Sequence, residues 1–405
     1  MSPCGRLSSS MTQLFFTVFT LLLLAELIKG LSANGTPPVL QKYAWQLDLA
    51  YFMWSNIRLF RIILVGILIL LFFFVLPQVS VAIIVGVLLF LLAWGFLYWL
   101  FNLFWVGKHK FKPLTHPNFV TATDNNIDLS AQVLGIEQNG TQKAYPASMV
   151  YYHHQIPDEI ADLPIWVTYC GLCRSGRIYD KTVDGQTLTF ELVGAITFNA
   201  VFKDLQTGSW WRQETGEAVK GTHKGKVLDA LPMEQMSLEH WLAKYPDSLI
   251  LQYDPTFQKI YDFLTKLMKY EVSKPSWHMQ EEPPLVIGVE LNGNSKAYDW
   301  NELKKRRLVM DTVGDTEVLL ISSEDESSAF AYKREVKGDS LEFHINGDEL
   351  TDTKTASKWN LLGQCVEGEL QGSELESLQN YQQFVRSWVT FHPDTTFYDY
   401  FSAAS

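Results

Sequence analysis

Two cysteines in the middle of the chain have the types and spacing that could carry out chemistry. Cys170 and Cys173 lie in the segment WVTYCGLCRSGRIYD, and the other two cysteines of the 405 residues are Cys4 and Cys365. Four cysteines are too few for a disulfide scaffold. A Cys-x-x-Cys pair can bind a metal ion, exchange a disulfide or pack as two small side chains. The sequence leaves these three interpretations open.

A metal site is the first interpretation. A Cys-x-x-Cys pair on a tight turn after a strand is typical of a zinc knuckle, in which two thiolates bind one ion. A closed zinc site has four ligands, so His153 and His154 in YYHHQ are the candidates for the other positions. Together with Cys170 and Cys173 they would form a sulfur and nitrogen site for a zinc- or copper-type ion.

Thiol redox chemistry is the second interpretation, and it needs a thiol that its surroundings activate. Arg174 follows the pair directly, and a cation at that position would lower a thiol pKa. Gly176 and the residues IYD after Arg177 predict a return strand rather than the helix that usually follows a redox pair. In the third interpretation the thiols only pack, or form a local disulfide, and the protein is a membrane scaffold or binding module.

The second half of the chain repeats the first. VLGIEQNGTQKAY, starting at Val133, and VIGVELNGNSKAY, starting at Val286, are identical at eight of thirteen positions with an offset of 153. After a deletion the offset becomes 147, which aligns Trp241 with Trp388. We therefore expect an internal duplication in which the shared residues make the fold.

Residues that differ between the copies are the better functional candidates. Cys170 and Cys173 correspond to Ser323 and Glu326, so the second copy lacks the thiol pair. Arg212 and Glu214 in GSWWRQETGE also differ, and they are either part of a site or a surface salt bridge. The candidate catalytic residues are thus Cys170, Cys173, Arg174 and Glu214.

Each copy reads as mainly antiparallel strands with one or two short helices. Asn139-Gly140 and Asn292-Gly293 stand between short apolar runs, which predicts β-hairpins because both turn positions need a positive φ. Ser237 is a favourable N-cap for LEHWLAKY near the end of the first copy. We expect a β-rich α+β fold, built as a tandem duplication and preceded by a helical hairpin in the membrane.

The hairpin prediction depends on an uncharged apolar run. No Asp, Glu, Lys or Arg occurs from Ile62 to Val106, which is long enough for two transmembrane helices with a turn at Pro77–Ser80. An earlier run, Leu14–Ala25, is either a signal-peptide core or a short span that extends through Ile28. The lipid bilayer is therefore an expected partner.

The predicted organisation has five parts. They are a signal-like or first transmembrane segment at 1–33, the hairpin at 58–107, a first soluble copy at 108–254, a helical connector at 255–280 and a second copy at 281–405.

Charge bears on sidedness and on partners. Arg58 and Arg61 precede the hairpin, and Lys108, Lys110 and Lys112 follow it, so the positive-inside rule favours a cytoplasmic soluble region. A cleaved signal peptide at 14–28 would place that region on the exported side. Residues 108–405 hold 28 Lys and Arg against 42 Asp and Glu, which disfavours nucleic-acid binding. A protein or small-molecule partner is not identified.

Three segments carry a family resemblance. PIWVTYCGLCRSGRIYD, VDGQTLTF and TGSWWRQETGEAVKG resemble, over about Val133 to Asp254, domain-of-unknown-function family 3179. That family is characterised by a TYCPLC-like segment, an FDR-like segment and a TxSxWxxxTGxAxxG-like segment. The resemblance implies no particular activity.

The resemblance also implies residue correspondences. His153 and Asp158 match an HEIxxD-like stretch that precedes the cysteines in that family, and Asn199 matches an asparagine before its D-x-x-T segment. The chain departs from the pattern at Gly171, where a proline is usual, and at Arg174, directly after the second cysteine.

Overall fold

A computed structural model describes residues 3–34, 43–114, 117–273 and 285–399. The chain divides into two compact units. One contains Met1–Lys112, Phe190–Trp211 and Ala218–Gly225, and the other contains Pro113–Thr189, Arg212–Glu217 and Lys226–Ser405. We describe each unit separately.

Three long apolar helices dominate the first unit. They are α1 (Pro3–Asn34), α2 (Trp45–Val75) and α3 (Val81–Trp99), and within them Ser10–Ala33, Trp45–Val75 and Val81–Phe104 are long and apolar enough to cross a membrane. The turn between α2 and α3 lies where the sequence predicted it. A 3₁₀ turn contains Pro77, and the hydroxyl of Ser80 accepts a hydrogen bond from Ile83 N (3.4 Å) as the N-cap of α3. A short helix, α4 (Gly107–Lys110), follows.

The β-rich region has two halves with the same order of elements. The first half contains β1 (Phe119–Val120), β2 (Gln132–Gln138), β3 (Thr141–Pro146), α5 (Ala147–His153), β4 (Gln155–Ile160), β5 (Leu163–Cys170), β6 (Ser175–Asp180), β7 (Thr182–Val183), β8 (Gln186–Thr187), β9 (Phe190–Ile196), β10 (Asn199–Asp204), β11 (Trp210–Arg212), β12 (Ala218–Lys220), β13 (Glu234–Ser237), α6 (Leu238–Lys244) and β14 (Leu249–Leu251). Helix α7 (Gln258–Ser273) follows, within the residues 255–280 predicted as a helical connector, of which 274–280 lie outside the described residues.

The second half contains β15 (Leu285–Leu291), β16 (Asn294–Asp299), α8 (Trp300–Arg306), β17 (Leu308–Val313), β18 (Thr316–Ser322), β19 (Ala329–Lys333), β20 (Glu335–Val336), β21 (Asp339–Ser340), β22 (Phe343–Asn346), β23 (Glu349–Asp352), β24 (Lys358–Trp359), β25 (Cys365–Glu367), β26 (Asn380–Phe384), α9 (Val385–Phe391) and β27 (Thr396–Phe397). From β2 onward the first half matches this order element by element.

The strand pairing is repeated as well. In the first half β2 pairs antiparallel with β3 and β13, and β14 adds in parallel to β3. In the second half β15 pairs antiparallel with β16 and β26, and β27 adds in parallel to β16. The expected Asn-Gly hairpin turns are confirmed, because Asn139, Gly140, Asn292 and Gly293 all have positive φ. The β-rich α+β class predicted from the sequence is therefore correct.

Residues shared by the two halves make equivalent structural contacts. Tyr145 Oη donates to Asp158 Oδ2 (2.7 Å), and Tyr298 Oη donates to Asp311 Oδ2 (2.9 Å). Each half also packs a tryptophan against a strand glycine, since a Cβ atom on Gly135 in β2 would lie 2.3 Å from the Trp241 ring and one on Gly288 in β15 would lie 2.2 Å from the Trp388 ring.

The core of the second unit is common to both halves. One buried cluster contains Val133 and Trp241 from the first half together with Leu319 and Trp359 from the second. Burial of side chains from both halves in one cluster makes each half dependent on the other for stability.

In the first unit, the helices pack on the sheet β9–β12. Ala33 and Ala50 are buried with Val201 and Trp210, and the ring of Tyr51 contacts Trp210 edge to face at 5.2 Å. A polar cluster lies within the helices themselves. Glu26 is fully buried and accepts from Arg61 Nε (2.6 Å) and Nη2 (2.8 Å).

Candidate functional site

The two cysteines flank the turn between β5 and β6. Cys173 N donates to Cys170 O (3.2 Å), and the two Sγ atoms are 3.0 Å apart in a hydrogen bond, with no disulfide between them. Both side chains are buried, whereas Leu172 in the same turn is 60% exposed.

The second half of the chain supplies the other wall of this site. Phe384 N, at the end of β26, donates to Cys173 O (2.9 Å). Ser387, in the first turn of α9, hydrogen-bonds the Cys173 thiol through its hydroxyl. The site is therefore formed only when the two halves are packed together.

A buried ionic network lies beside the thiols, centred on Glu214. The Glu214 carboxylate forms an ion pair with Arg177 and accepts a hydrogen bond from the Ser175 hydroxyl. Arg177 Nε also donates to Glu214 O (3.2 Å), and its guanidinium lies 3.6 Å from the centre of the Tyr381 ring. Burial, the largest single influence, lowers the pKa of Arg177, but the charge of Glu214 together with Tyr381, Tyr179 and Glu290 outweighs it, so that the pKa is raised.

Backbone geometry places Glu214 at this point. It lies in a turn that is closed by Arg212 N donating to Glu217 O (2.9 Å). The hydroxyl of Tyr179 donates to both Gln213 O and Glu214 O (2.9 Å each) and so fixes the turn on β6. The amide of Gln383, oriented by its hydrogen bonds, donates to Glu214 Oε1 (2.8 Å) and accepts from Trp388 N (2.8 Å).

The network keeps the buried thiol protonated. Burial raises the pKa of the Cys173 thiol well above its ordinary value, and the hydrogen bond from Cys173 to Cys170 and the negative charges of Cys170 and Glu214 act in the same direction. The Ser387 hydroxyl opposes this shift but does not cancel it. Cys173 is therefore a neutral thiol at physiological pH and a weak nucleophile by itself.

The hydrogen bonds of the Arg174 side chain are made to Gln382 and Met268 rather than to the thiols. Its Nη1 donates to Gln382 Oε1 (2.6 Å), and its Nη2 donates to the carbonyl of Met268 (3.4 Å). The side chain is buried, and the backbone has a φ of 55°. Of the two cations nearest the pair in sequence order, Arg177 rather than Arg174 carries the ion pair beside the thiols.

The region that contains this site matches a known protein family. The sequence profile of DUF3179, described as "Protein of unknown function (DUF3179)", matches residues 110–395. The chain belongs to the DUF3179 family. The match extends beyond the residues 133–254 on which the resemblance rested, and it includes the second half that supplies Phe384 and Ser387. Neither a curated protein nor a solved structure gives a significant match.

The two histidines predicted as metal ligands, His153 and His154, make other contacts. His153, on α5, is buried and its Nε2 lies 2.7 Å from Tyr261 Oη on α7. His154 O accepts from Tyr169 N (3.2 Å), next to Cys170, but its ring Nδ1 lies 3.3 Å from Tyr152 O.

A metal ion finds little support in this arrangement. Two thiolates on one tetrahedral zinc are about 3.8 Å apart, since each Zn–S bond is about 2.3 Å, whereas the sulfurs here are 3.0 Å apart. Across the residues that the structure describes, no group of three or more His, Cys, Asp or Glu side chains is arranged to hold a metal ion. The ligand set Cys170, Cys173, His153 and His154 stays a prediction.

The second half of the DUF3179 region shows what is specific to the site. Its equivalent turn also has Glu326 N donating to Ser323 O (3.0 Å), so the backbone is kept while the thiols are replaced. Phe330 stands at the position of Arg177, and it lies in the apolar cluster with Leu361. The same backbone thus encloses a polar site in one half and an apolar core in the other.

Four residues of the site were not identified by comparing the sequences of the two halves. Ser175, Arg177, Gln383 and Ser387 were not among the candidates. Arg177 could have been found, because its counterpart is a phenylalanine. Gln383 and Ser387 belong to the half without cysteines, and only their packing against Cys173 and Glu214 associates them with the site.

Proposed function

We propose that this DUF3179 protein is a membrane-anchored thiol–disulfide exchange protein, in which Cys170 and Cys173 alternate between dithiol and disulfide. The observation that carries the proposal is the 3.0 Å separation of two sulfurs, not joined by a disulfide, on one tight turn. A disulfide bond of about 2.05 Å requires a shift of only about 1 Å from this position.

The exchange balances with a disulfide as the oxidant. One thiolate of the pair attacks a sulfur of the partner disulfide, and one partner thiol leaves. The second cysteine then attacks the mixed disulfide, forms the Cys170–Cys173 bond and releases the second partner thiol. We assign attack to Cys170 and resolution to Cys173, because the raised pKa of Cys173 suits a thiol that reacts only within the complex. Access requires the turn that carries Gly171 and the exposed Leu172 to move.

The membrane arrangement supports this function. We propose that all three apolar helices cross the bilayer, with the positive flanks Arg58, Arg61, Lys108, Lys110 and Lys112 on the cytoplasmic side. In the cytoplasm thiols are kept reduced, so a Cys-x-x-Cys pair there serves exchange rather than a permanent disulfide.

We also propose that the second half is a duplicated copy of the first that lost its thiols. The repeated order of elements and pairing supports common origin. Its retained task is to close the site with β26 and α9, since Phe384 and Ser387 contact Cys173.

The test uses full-length protein in detergent, equilibrated with mixtures of reduced and oxidised glutathione. Intact mass after alkylation should show two fewer alkyl groups on the oxidised protein than on the reduced protein, in a single two-electron transition. Cys170→Ser and Cys173→Ser should each abolish it, and Cys365→Ser, which removes another buried cysteine, should not. Thiols that stay reduced in excess oxidised glutathione would refute exchange.

A non-catalytic scaffold is the second candidate, and the burial of both thiols favours it. In that case the serine variants should alter stability alone.

Elemental analysis of the same preparation addresses the metal interpretation. One equivalent of zinc or copper that is lost in the double serine variant would show that the cysteines form a metal site rather than an exchange pair.

A further inference from the structure

A cavity of about 400 Å³ lies within the second unit, and it is distinct from the thiol pair. Its walls include the two equivalent turns of the two halves, with Arg174 from one and Asp325, Glu326 and Ser327 from the other. A cavity of this size accommodates a small organic molecule.

Cations and neutral donors converge on this cavity. Arg174, buried to 1% exposure, is one of the lining residues, and its guanidinium donates to Gln382 Oε1 and Met268 O. Lys269, on α7, donates to the hydroxyl of Ser130 (3.3 Å), which is also in the wall.

The negative groups of the wall are engaged by their own neighbours. Glu326 forms an ion pair with Lys304 (3.0 Å). Asp325 accepts hydrogen bonds from the hydroxyls of Ser323 (2.6 Å) and Ser327 (2.7 Å). Three cations against two carboxylates give the cavity a net positive charge in a region that is strongly acidic overall.

We infer that this cavity binds a small organic anion, with a carboxylate or phosphate at the Arg174 end and a short apolar body. A guanidinium held in a fixed orientation suits a planar or tetrahedral oxyanion. Ala131, Met268 and Thr265 supply apolar wall for the body of the ligand. Only the first half supplies this arginine, because the residue of the second half that corresponds to Arg174 is Ser327.

Isothermal titration of full-length protein in detergent tests this with two matched pairs of probes. Hexanoate is compared with hexanamide, and glycerol 3-phosphate with glycerol. Saturable binding of hexanoate or of glycerol 3-phosphate, with none of its neutral counterpart, is expected, and the anion that binds distinguishes carboxylate from phosphate ligands. Failure of both anions to bind would overturn the inference.

Variants locate the binding. Arg174→Gln should weaken binding at least about tenfold, the value of one charged hydrogen bond. Lys269→Gln is the second variant, because Lys269 is exposed and its loss spares the fold. Lys305→Gln, at an exposed lysine outside the cavity, should bind as the wild type does. Unchanged affinity in both Arg174→Gln and Lys269→Gln would refute the site.

The inference is independent of thiol exchange. Cys170→Ser/Cys173→Ser should keep anion binding, since neither cysteine is in the wall. Loss of binding in that double variant, with the fold intact, would contradict a separate anion site.

Discussion

Removal of the Glu214 carboxylate is the sharpest test of the buried network. Glu214→Gln keeps the shape of the side chain but leaves Arg177, whose side chain is 8% exposed, without its charged partner. Breaking a buried ion pair from one side costs about 3–5 kcal/mol, because the remaining charge stays desolvated. The Ser175 hydrogen bond is also weakened, since its acceptor loses its charge.

The structure contains its own compensating change. At the equivalent positions of the second half, Phe330 replaces Arg177, and leucines occupy the turn in place of Gln213 and Glu214. The double variant Arg177→Phe/Glu214→Leu should therefore recover most of the stability that Glu214→Gln loses, because no buried charge remains.

Thermal unfolding in detergent, followed by tryptophan fluorescence, measures both changes. At about 2–4 °C per kcal/mol, Glu214→Gln should lower Tm by about 6–20 °C. Glu217→Gln, in the same turn but only partly buried, is the matched control and should change Tm by less than about 2 °C. If Glu214→Gln also changed Tm by less than about 2 °C, the ion pair would not be what stabilises this site.

Three further predictions concern other parts of the molecule. Because the pKa of Cys173 is raised above its ordinary value of 9.0, the reduced protein should lose stability as pH rises above about 9, where the unfolded thiol releases its proton and the folded one does not. Cys173→Ser should reduce that loss in urea titrations at pH 8 and 10. Gly135→Ala should destabilise by at least about 1–3 kcal/mol in urea unfolding, since its Cβ would meet the Trp241 ring at 2.3 Å, whereas Gly140→Ala should cost about 1–2 kcal/mol from its positive φ alone. Glu26→Leu should lower the free energy of unfolding by about 2 kcal/mol relative to Glu26→Gln, because glutamine keeps an acceptor for Arg61. Equal melting temperatures of the two variants would argue against the buried pair.

Local sequence signals determined the architecture to a large extent. The uncharged run from Ile62 to Val106 predicts two adjacent helices, because an apolar segment of that length is long enough to cross a bilayer twice. Asn-Gly steps at Asn139 and Asn292 specify hairpins through their positive φ. The tryptophans that the offset comparison aligned make the same structural contact, since Trp241 packs against Gly135 and Trp388 packs against Gly288.

The first apolar segment shows the limit of such signals. Leu14–Ala25 alone leaves signal peptide and span open. In the structure it is part of helix α1, Pro3–Asn34, in which Phe19 is buried in one cluster with Leu71 near the end of α2. This interhelical packing is not contained in an apolar count over one segment.

The sequence by itself determined which residues could react: a Cys-x-x-Cys pair, with Ser323 and Glu326 at the matching positions of the second half. Only the tertiary structure decided what surrounds them. Gln383 and Ser387 are about 210 residues from the cysteines, yet they face Glu214 and Cys173. His153, close in sequence, instead contacts Tyr261. Burial and charge depend on which elements pack together, so the raised pKa of the Cys173 thiol follows from the packing of the two halves.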